Sequence, residues 1–452
     1  MQIRFKQEQL QKEDIDSKMR LLIDPDNVFW GLIDREKMDN QAEEKISVLG
    51  EKFKSNLDQS MRDFRSKVDV NSVYINPTDR CNANCPYCYI PARMRRSGKH
   101  LGTDELTYIL KKIDNYFKGS SKKLKFKPMV IYHGSEPLLV KDLIFSSIEK
   151  FSKKFNFGVQ TNAILLEKKD VKFLKSQKVS VGISLDSLDK KVNDYTRRSQ
   201  EGNNYDKAIR VLEWFKGYEG LSVITTLTKY NLKGLPKLVE FMHSKRVGCF
   251  LLNPVRITRN SVLRLKPKDK ELTKAFLGAI KKAVEISKKS KHRIIIGNFS
   301  NIILGIVAPS ARRLMCDISP CGGARCFFAI TANGDMVPCG EFISLEEFYA
   351  GNIFKDSIKK ALYSKQFKKI RSRIVEKIEE CDVCNYRNIC GAPCPAESYS
   401  ANKDLNVKSP YCEFYKEIIK YAFKLIAEDK IKYLFRKEAF KNVKYEYYLK
   451  AG

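Results

Sequence analysis

Histidine and tryptophan are rare in this sequence, with four and two residues respectively among 452. His100, His133, His243 and His292 show no paired ligand spacing, so no histidine-based metal site is expected. Long apolar runs are also missing. The most apolar stretch, residues 294–308, is interrupted by Gly297, Asn298, Ser300, Asn301 and Gly305, and is too short and too polar to span a bilayer. The first sixteen residues are charged and hold no apolar core of a secretory signal, so a cytoplasmic location is expected. Acidic residues are in deficit, with 53 against 84 Lys and Arg and a net charge of +31. That balance suits anionic partners, but no basic run is interleaved with aromatics as a stacking groove requires. Nucleic acid is therefore not an expected partner.

Cysteine is what the chain has in quantity, thirteen residues too unevenly placed for a disulfide scaffold. Most lie in CxxC-like groups between Cys316 and Cys412, a pattern of metal ligation in a reducing compartment. Three more share one loop, Cys81-Asn82-Ala83-Asn84-Cys85-Pro86-Tyr87-Cys88, just after an apolar strand. A structural zinc normally takes four ligands, whereas a four-iron cluster held by three Cys keeps one iron open for a small molecule. A zinc loop that borrows a distant fourth ligand is the alternative.

At this length two or three domains are expected. Residues 1–70 read as a small N-terminal extension, with a hairpin around Asp24-Pro25-Asp26-Asn27 and charged helical sequence behind it. It is expected to be a packing support, with a lid or peptide-docking element as the alternative. From residue 72 onward, short strands (73–76, 129–133, 157–161, 181–185, 222–227 and 249–253) alternate with amphipathic helices. In one of these, 103–117, Leu106, Ile109, Leu110, Ile113 and Phe117 recur at helical spacing behind a Thr103 cap. Strict alternation predicts a parallel sheet, and six units are fewer than the eight of a closed barrel. In such folds chemistry gathers at the C-terminal ends of the strands.

The Cys-x3-Cys-x2-Cys loop, with Tyr87 before its last Cys, resembles the signature loop of radical S-adenosylmethionine (SAM) enzymes, in which the open iron chelates SAM. The six repeats resemble that family's partial (β/α)6 TIM-like barrel. The resemblance implies further SAM contacts at successive strand ends. They are Gly134, Ser135 and Glu136 in His133-Gly134-Ser135-Glu136-Pro137, then Asn162, then Ser184 and Arg197, with Arg198 competing for the last role. Ser135 departs from the family's second Gly. Tyr87 is expected beside the cofactor.

The later cysteines resemble a SPASM domain, a C-terminal extension that binds auxiliary iron–sulfur clusters. By that resemblance, Cys321, Cys326, Cys339 and Cys394 would hold a first auxiliary [4Fe–4S] cluster, with Cys316 competing for the place of Cys326. Cys381, Cys384, Cys390 and Cys412 would hold a second. Paired zinc sites are the alternative. Cys249 is expected to be a buried small hydrophobe.

The expected organisation is thus α/β, with an extension over 1–70, a radical SAM barrel over 71–260 and a helical bridge over 261–310. The SPASM domain covers 311–425, and a C-terminal helix and tail cover 426–452. The helix is expected to pack back on the core. The resemblance implies a maturase that cleaves SAM and abstracts a hydrogen from a peptide or protein. The first choice is maturation of a ribosomally made peptide with an acidic leader, for example by a thioether crosslink, fed by a low-potential donor such as flavodoxin or ferredoxin. Formylglycine formation, as in sulfatase maturation, and peptide epimerisation are the alternatives. The first is disfavoured because Gly340 rather than an acid follows Cys339. Glu341 and Cys316 are the candidate catalytic side chains. A zinc protein binding nucleic acid or a partner is the non-enzymatic rival.

Overall fold

The computed structural model describes residues 10–36, 40–119, 127–199 and 202–436, so the expected tail over 437–452 and the first nine residues lie outside the described residues. The chain divides into two compact units, 1–67 with 269–322 and 372–452, and 68–268 with 323–371.

In the second unit the six expected strands are present. They are β4 (Ser72–Ile75), β5 (Met129–Tyr132), β6 (Asn156–Thr161), β7 (Ser180–Ser184), β8 (Leu221–Leu227) and β9 (Cys249–Pro254), all parallel and in sequence order. Alternation drives the register: Leu221, Val223, Thr225 and Leu227 of β8 are buried while the residues between them are only partly covered. The helix Thr103–Lys118 buries Leu106, Ile109, Leu110 and Ile113 as its spacing predicts. Its cap differs from expectation. Thr103 is already helical, and the Glu105 carboxylate accepts the Gly102 N–H at 2.8 Å. Cys249 is half-buried rather than buried, because β9 is the edge strand and exposes alternate residues.

The sheet has two more strands than the repeats predict. β10 (Phe327–Ile330) pairs in parallel with the outer edge of β4, and β11 (Met336–Val337) pairs antiparallel with β10. Residues 323–371, expected within the SPASM segment, therefore belong to the sheet unit. The physical reason is edge satisfaction. β4 would otherwise leave a row of backbone groups open, and the all-buried β10 covers it.

In the first unit, β1 (Gln11–Asp14), β2 (Met19–Ile23) and β3 (Trp30–Asp34) form an antiparallel sheet over the helix Asn40–Ser66. The expected hairpin is β2–β3; β1 is too polar to read as a strand. Leu22, Phe29, Ile33, Ile46 and Leu57 make the core between sheet and helix. The bridge helix Asp269–Lys289 and the C-terminal helix Cys412–Ala427 pack together, with Phe276 against Phe414 at 5.2 Å. The turn Asp24–Asn27 docks on the Cys-rich segment. Arg387, wholly buried, pairs with Asp26 at 2.5 Å, and Asn388 donates to the carbonyl of Pro25 at 2.9 Å. Arg65 makes a second buried pair with Glu376 at 2.7 Å. No helix among the described residues is long and apolar enough to cross a membrane.

Candidate active site

The loop carrying Cys81, Cys85 and Cys88 follows β4 and is stapled by two arginines that sequence reasoning did not single out. Arg95, buried, donates from Nη1 to the Ala83 carbonyl at 3.0 Å and the Asn84 side chain at 2.9 Å, and from Nε to the Ile90 carbonyl at 3.1 Å. Arg259 caps the Cys88 carbonyl and, at 2.9 Å, the Pro86 carbonyl. A loop needs these donors because its carbonyls have no ladder partners. The Arg198 carbonyl accepts the Asn84 N–H at 2.6 Å.

Burial pushes all three thiols up, Cys85 to about 12. Thiols so placed ionise only if a metal centre takes the charge. Among the described residues no three His, Cys, Asp or Glu side chains converge on one metal ion. A cluster fits this donor set better than zinc, since each Cys then binds a different iron.

Beside the thiols is a cavity of about 270 Å³, lined by Tyr87, Gly134, Ser135, Glu136, Asn162, Ser184 and Arg197 together with Cys81, Cys85 and Cys88. Residues expected as SAM contacts from four strand ends thus share one space. Gly134 holds φ +119°, and a Cβ there would fall 2.2 Å from Asn76 Oδ1, so only glycine fits. Ser135 is accommodated, with its hydroxyl donating to the Asp79 carbonyl at 2.6 Å. The Glu136 carboxylate accepts from Leu138 N (3.1 Å), Thr161 Oγ1 (2.8 Å) and Asn162 N (2.8 Å). It thereby locks the β5 loop to the end of β6, while burial raises its pKa to about 7.

Arg197, not Arg198, lines the cavity. Its Nε and Nη2 donate to Asp186, each at 3.1 Å, and its guanidinium lies 5.5 Å from the Tyr87 ring centre. Burial opposes its charge, yet Asp186, Tyr87 and Cys85 hold its pKa well above the ordinary value. The Tyr87 hydroxyl also donates to Asp186, at 2.5 Å.

Sequence reasoning also passed over Tyr89 and Arg256, which line the cavity with His133 and Glu341. Glu341 arrives there because β10 and β11 join the sheet, which places the turn after Cys339 at this wall. Its Oε1 is 3.4 Å from Arg256 Nε, whereas Oε2 is covered and has no hydrogen-bond partner. Burial raises its pKa and Arg256 counters part of the shift. The Tyr89 hydroxyl is likewise covered and unpartnered. Burial keeps His133 neutral, its pKa near 4. Cys316 is exposed in the first unit and does not line this cavity.

The first unit also holds Cys381, Cys384, Cys390 and Cys412. Burial raises each thiol, and neighbouring thiols add to the shifts of Cys381, Cys384 and Cys390, Cys381 reaching about 11. Four crowded thiols fit a fully ligated cluster. Of the other expected set, Cys321 and Cys394 belong to the first unit and Cys326 and Cys339 to the second.

Residues 75–242 match the model of the Radical SAM superfamily, and residues 321–385 match SPASM, an iron–sulfur cluster-binding domain. The chain belongs to the radical SAM superfamily and carries a SPASM domain. SAM and iron–sulfur clusters are therefore its cofactors. An uncharacterised protein of Archaeoglobus fulgidus is 43% identical over 94% of this radical SAM chain and 96% of its own length. A cysteine-type anaerobic sulfatase-maturating enzyme of Clostridium perfringens is 26% identical over 78% of this chain and 96% of its own. Among solved structures, anSMEcpe with bound AdoMet superposes with a TM-score of 0.68 at 21% identity, over 79% of this chain and 94% of that one. Streptococcus suis SuiB bound to S-adenosylmethionine superposes at 0.58 and 16% identity, over 91% and 100%. Both share the fold.

Proposed function

We propose that this radical SAM protein oxidises or crosslinks a side chain of a peptide or protein. The observation that carries the reading is a single cavity holding the three loop thiols, the strand-end polar set and a carboxylate with one unpartnered oxygen. When bound, the cluster and SAM supply a 5′-deoxyadenosyl radical that removes one hydrogen atom from the substrate. The chain's own residues would orient the reactants: Gly134, Ser135 and Glu136, which line the cavity, would meet the SAM ammonium. Arg197, fixed by Asp186, and Ser184 would offer polar contacts to its ribose or carboxylate. Loss of a hydrogen atom from carbon must be followed by loss of an electron, and for a thiol or hydroxyl substrate by loss of a proton. Glu341 Oε2, a covered oxygen without a hydrogen-bond partner, would accept that proton. Cys381, Cys384, Cys390 and Cys412 would hold one auxiliary cluster as an electron acceptor.

A ribosomally made peptide with an acidic leader remains the first substrate reading, consistent with the charge of +31. A low-potential flavodoxin or ferredoxin would supply the electron that starts each turnover. Formylglycine formation is the second reading, and a specific observation favours it. The sequence argument against it was that Gly340 follows Cys339, yet Glu341, one residue later, reaches the cavity. The test is an anaerobic assay of the reconstituted enzyme with dithionite and SAM, supplying either leader-bearing peptides or sulfatase-type peptides with Cys or Ser. Mass loss in a peptide, coupled to 5′-deoxyadenosine formation, supports the reading and chooses between the two. Deoxyadenosine formed with no peptide altered in either series speaks against both.

A further inference from the structure

Two large hydrophobic side chains stand exposed beside the three-thiol loop without lining its cavity. Tyr230, just after β8, is 44% exposed, and Leu263, at the end of the helix Asn260–Leu263, is 53% exposed. The Lys229 N–H donates to the Leu265 carbonyl at 3.0 Å, which ties the two segments together. Tyr230 meets Tyr195 edge to face, with 5.2 Å between ring centres. Val262 and Leu265 are buried in a cluster with Val255 and Ile257, and both Tyr195 and Tyr87 of the loop pack against it. The loop is bonded to the same segments: Arg259 caps the Cys88 and Pro86 carbonyls, and the Asn84 N–H donates to the Arg198 carbonyl at 2.6 Å. The rim of this patch is cationic. Arg198, Lys229 and Arg264 are exposed, Arg198 lies 5.9 Å from the Tyr195 ring centre and Lys229 lies 5.2 Å from that of Tyr230. None of the three pairs with a carboxylate among the described residues. The sequence also holds no acidic residue between Glu240 and Asp269.

An aromatic and apolar centre ringed by cations without ion-pair partners has the composition of a protein interface. We propose that this patch docks an acidic one-electron carrier, a flavodoxin or ferredoxin, which reduces the iron–sulfur centre on Cys81, Cys85 and Cys88. The inference rests on the reading that these three thiols hold the SAM-cleaving cluster. Position selects a carrier over the peptide substrate. A substrate carbon must enter the cavity, and Tyr230, Leu263, Lys229 and Arg264 do not line it. They adjoin instead the outer side of the loop, where Arg259 touches the backbone of a cluster cysteine. A carrier needs only to come close to the cluster. Redox partners meet over small areas, below about 1,200 Å² in total, and are steered by opposite charge. The step is one electron: the reduced carrier loses it and the centre gains it, with no proton moved and no bond formed.

The test uses the reconstituted full chain with two kinds of reductant. Reduced flavodoxin, with a reduced [4Fe–4S] ferredoxin in parallel, has to dock; dithionite does not. Lys229→Glu with Arg264→Glu should lower carrier affinity in titration calorimetry about tenfold or more, and carrier-driven 5′-deoxyadenosine formation with it, while dithionite-driven formation stays at the parent level. Parent affinity should fall with added salt. Leu263→Ser, which keeps every charge, should weaken the carrier by a smaller factor. If the double variant also fails with dithionite, and so has lost its fold, Leu263→Ser decides. Carrier affinity unmoved by these variants would overturn the proposal, as would a parent that neither carrier reduces. Equal weakening by Lys168→Glu with Lys172→Glu, on the helix Lys168–Ser176, would show that net charge alone matters and would also overturn it. Loss of affinity for an acidic leader peptide, with carrier affinity kept, would assign the patch to the substrate instead. A parent that does not cleave SAM even with dithionite would sink the cluster reading itself, an outcome separable because it involves neither carrier nor variant.

Discussion

The two thiol groups described here are built in different ways. Cys81, Cys85 and Cys88 sit in one loop whose shape is set locally, by side chains of Arg95 and Arg259 reaching its carbonyls, and they open on a cavity. In the second group, in the first unit, Cys381 and Cys384 share one turn, Cys390 ends the short helix Arg387–Cys390 that follows it, and Cys412 opens the helix Cys412–Ala427. They are brought together by buried charge pairs and helix packing. Three thiols beside a cavity would leave a coordination site for a substrate-like cofactor, and four would close it. The first arrangement suits chemistry and the second suits electron storage, and the difference lies in ligand number and access rather than in cysteine itself.

The largest effect should come from removing each set in turn. With Cys81, Cys85 and Cys88 changed to Ala, 5′-deoxyadenosine formation should fall to background and about four irons should be lost. With Cys381, Cys384, Cys390 and Cys412 changed to Ala, SAM cleavage should persist while product formation is lost. Equal loss of cleavage in both would break the comparison. Next, Glu341→Gln should lower product formation about 10²–10⁴-fold while leaving SAM cleavage without substrate unchanged, the signature of a lost proton acceptor. Mass spectrometry of the peptide and chromatography of deoxyadenosine separate the two readouts.

A smaller effect concerns support of the four-thiol set. Asp26→Asn leaves Arg387 buried without its counter-charge and should cost about 3–5 kcal/mol, read as a lower thermal midpoint and reduced auxiliary iron. An unchanged midpoint would show that the N-terminal turn does not brace this set. The smallest effect is on pH dependence. Burial raises the pKa of Asp24 to about 6 from 3.8. The folded state therefore keeps a proton that the unfolded state releases between those values. Its contribution to stability is full below about pH 4, falls as pH rises to about 6, and is lost above, by at most about 3 kcal/mol. Asp24→Asn should flatten that slope in thermal melts at pH 4.5, 5.5 and 7.

Much of the site was legible because its residues sit at fixed places in a local repeat. A strand end is readable from alternation and the loop after it from composition. Gly134, Asn162, Ser184 and Arg197 were assigned to one place by the resemblance of these strand ends to radical SAM enzymes, and they share one cavity. The preference for Arg197 over Arg198 needed the structure. Adjacent residues on a helix end point apart, and only the side chain of Arg197 meets Asp186. Glu341 was legible as a residue but not as a neighbour of Tyr89. Arg95 and Arg259 carried no signal among the many basic residues.

By itself the sequence determined the six parallel strands and their helices and the three-thiol loop, because periodicity and ligand spacing are short-range properties of the chain, and the resemblance of that loop to radical SAM enzymes gave the cofactor class. Only the tertiary structure decided that β10 and β11 extend the sheet from β4, that Glu341 enters the cavity, and that Asp26 and Arg387 meet across about 360 residues of sequence. These are long-range contacts, and pairing between distant segments is set by which edges and charges remain unsatisfied once the local elements have formed.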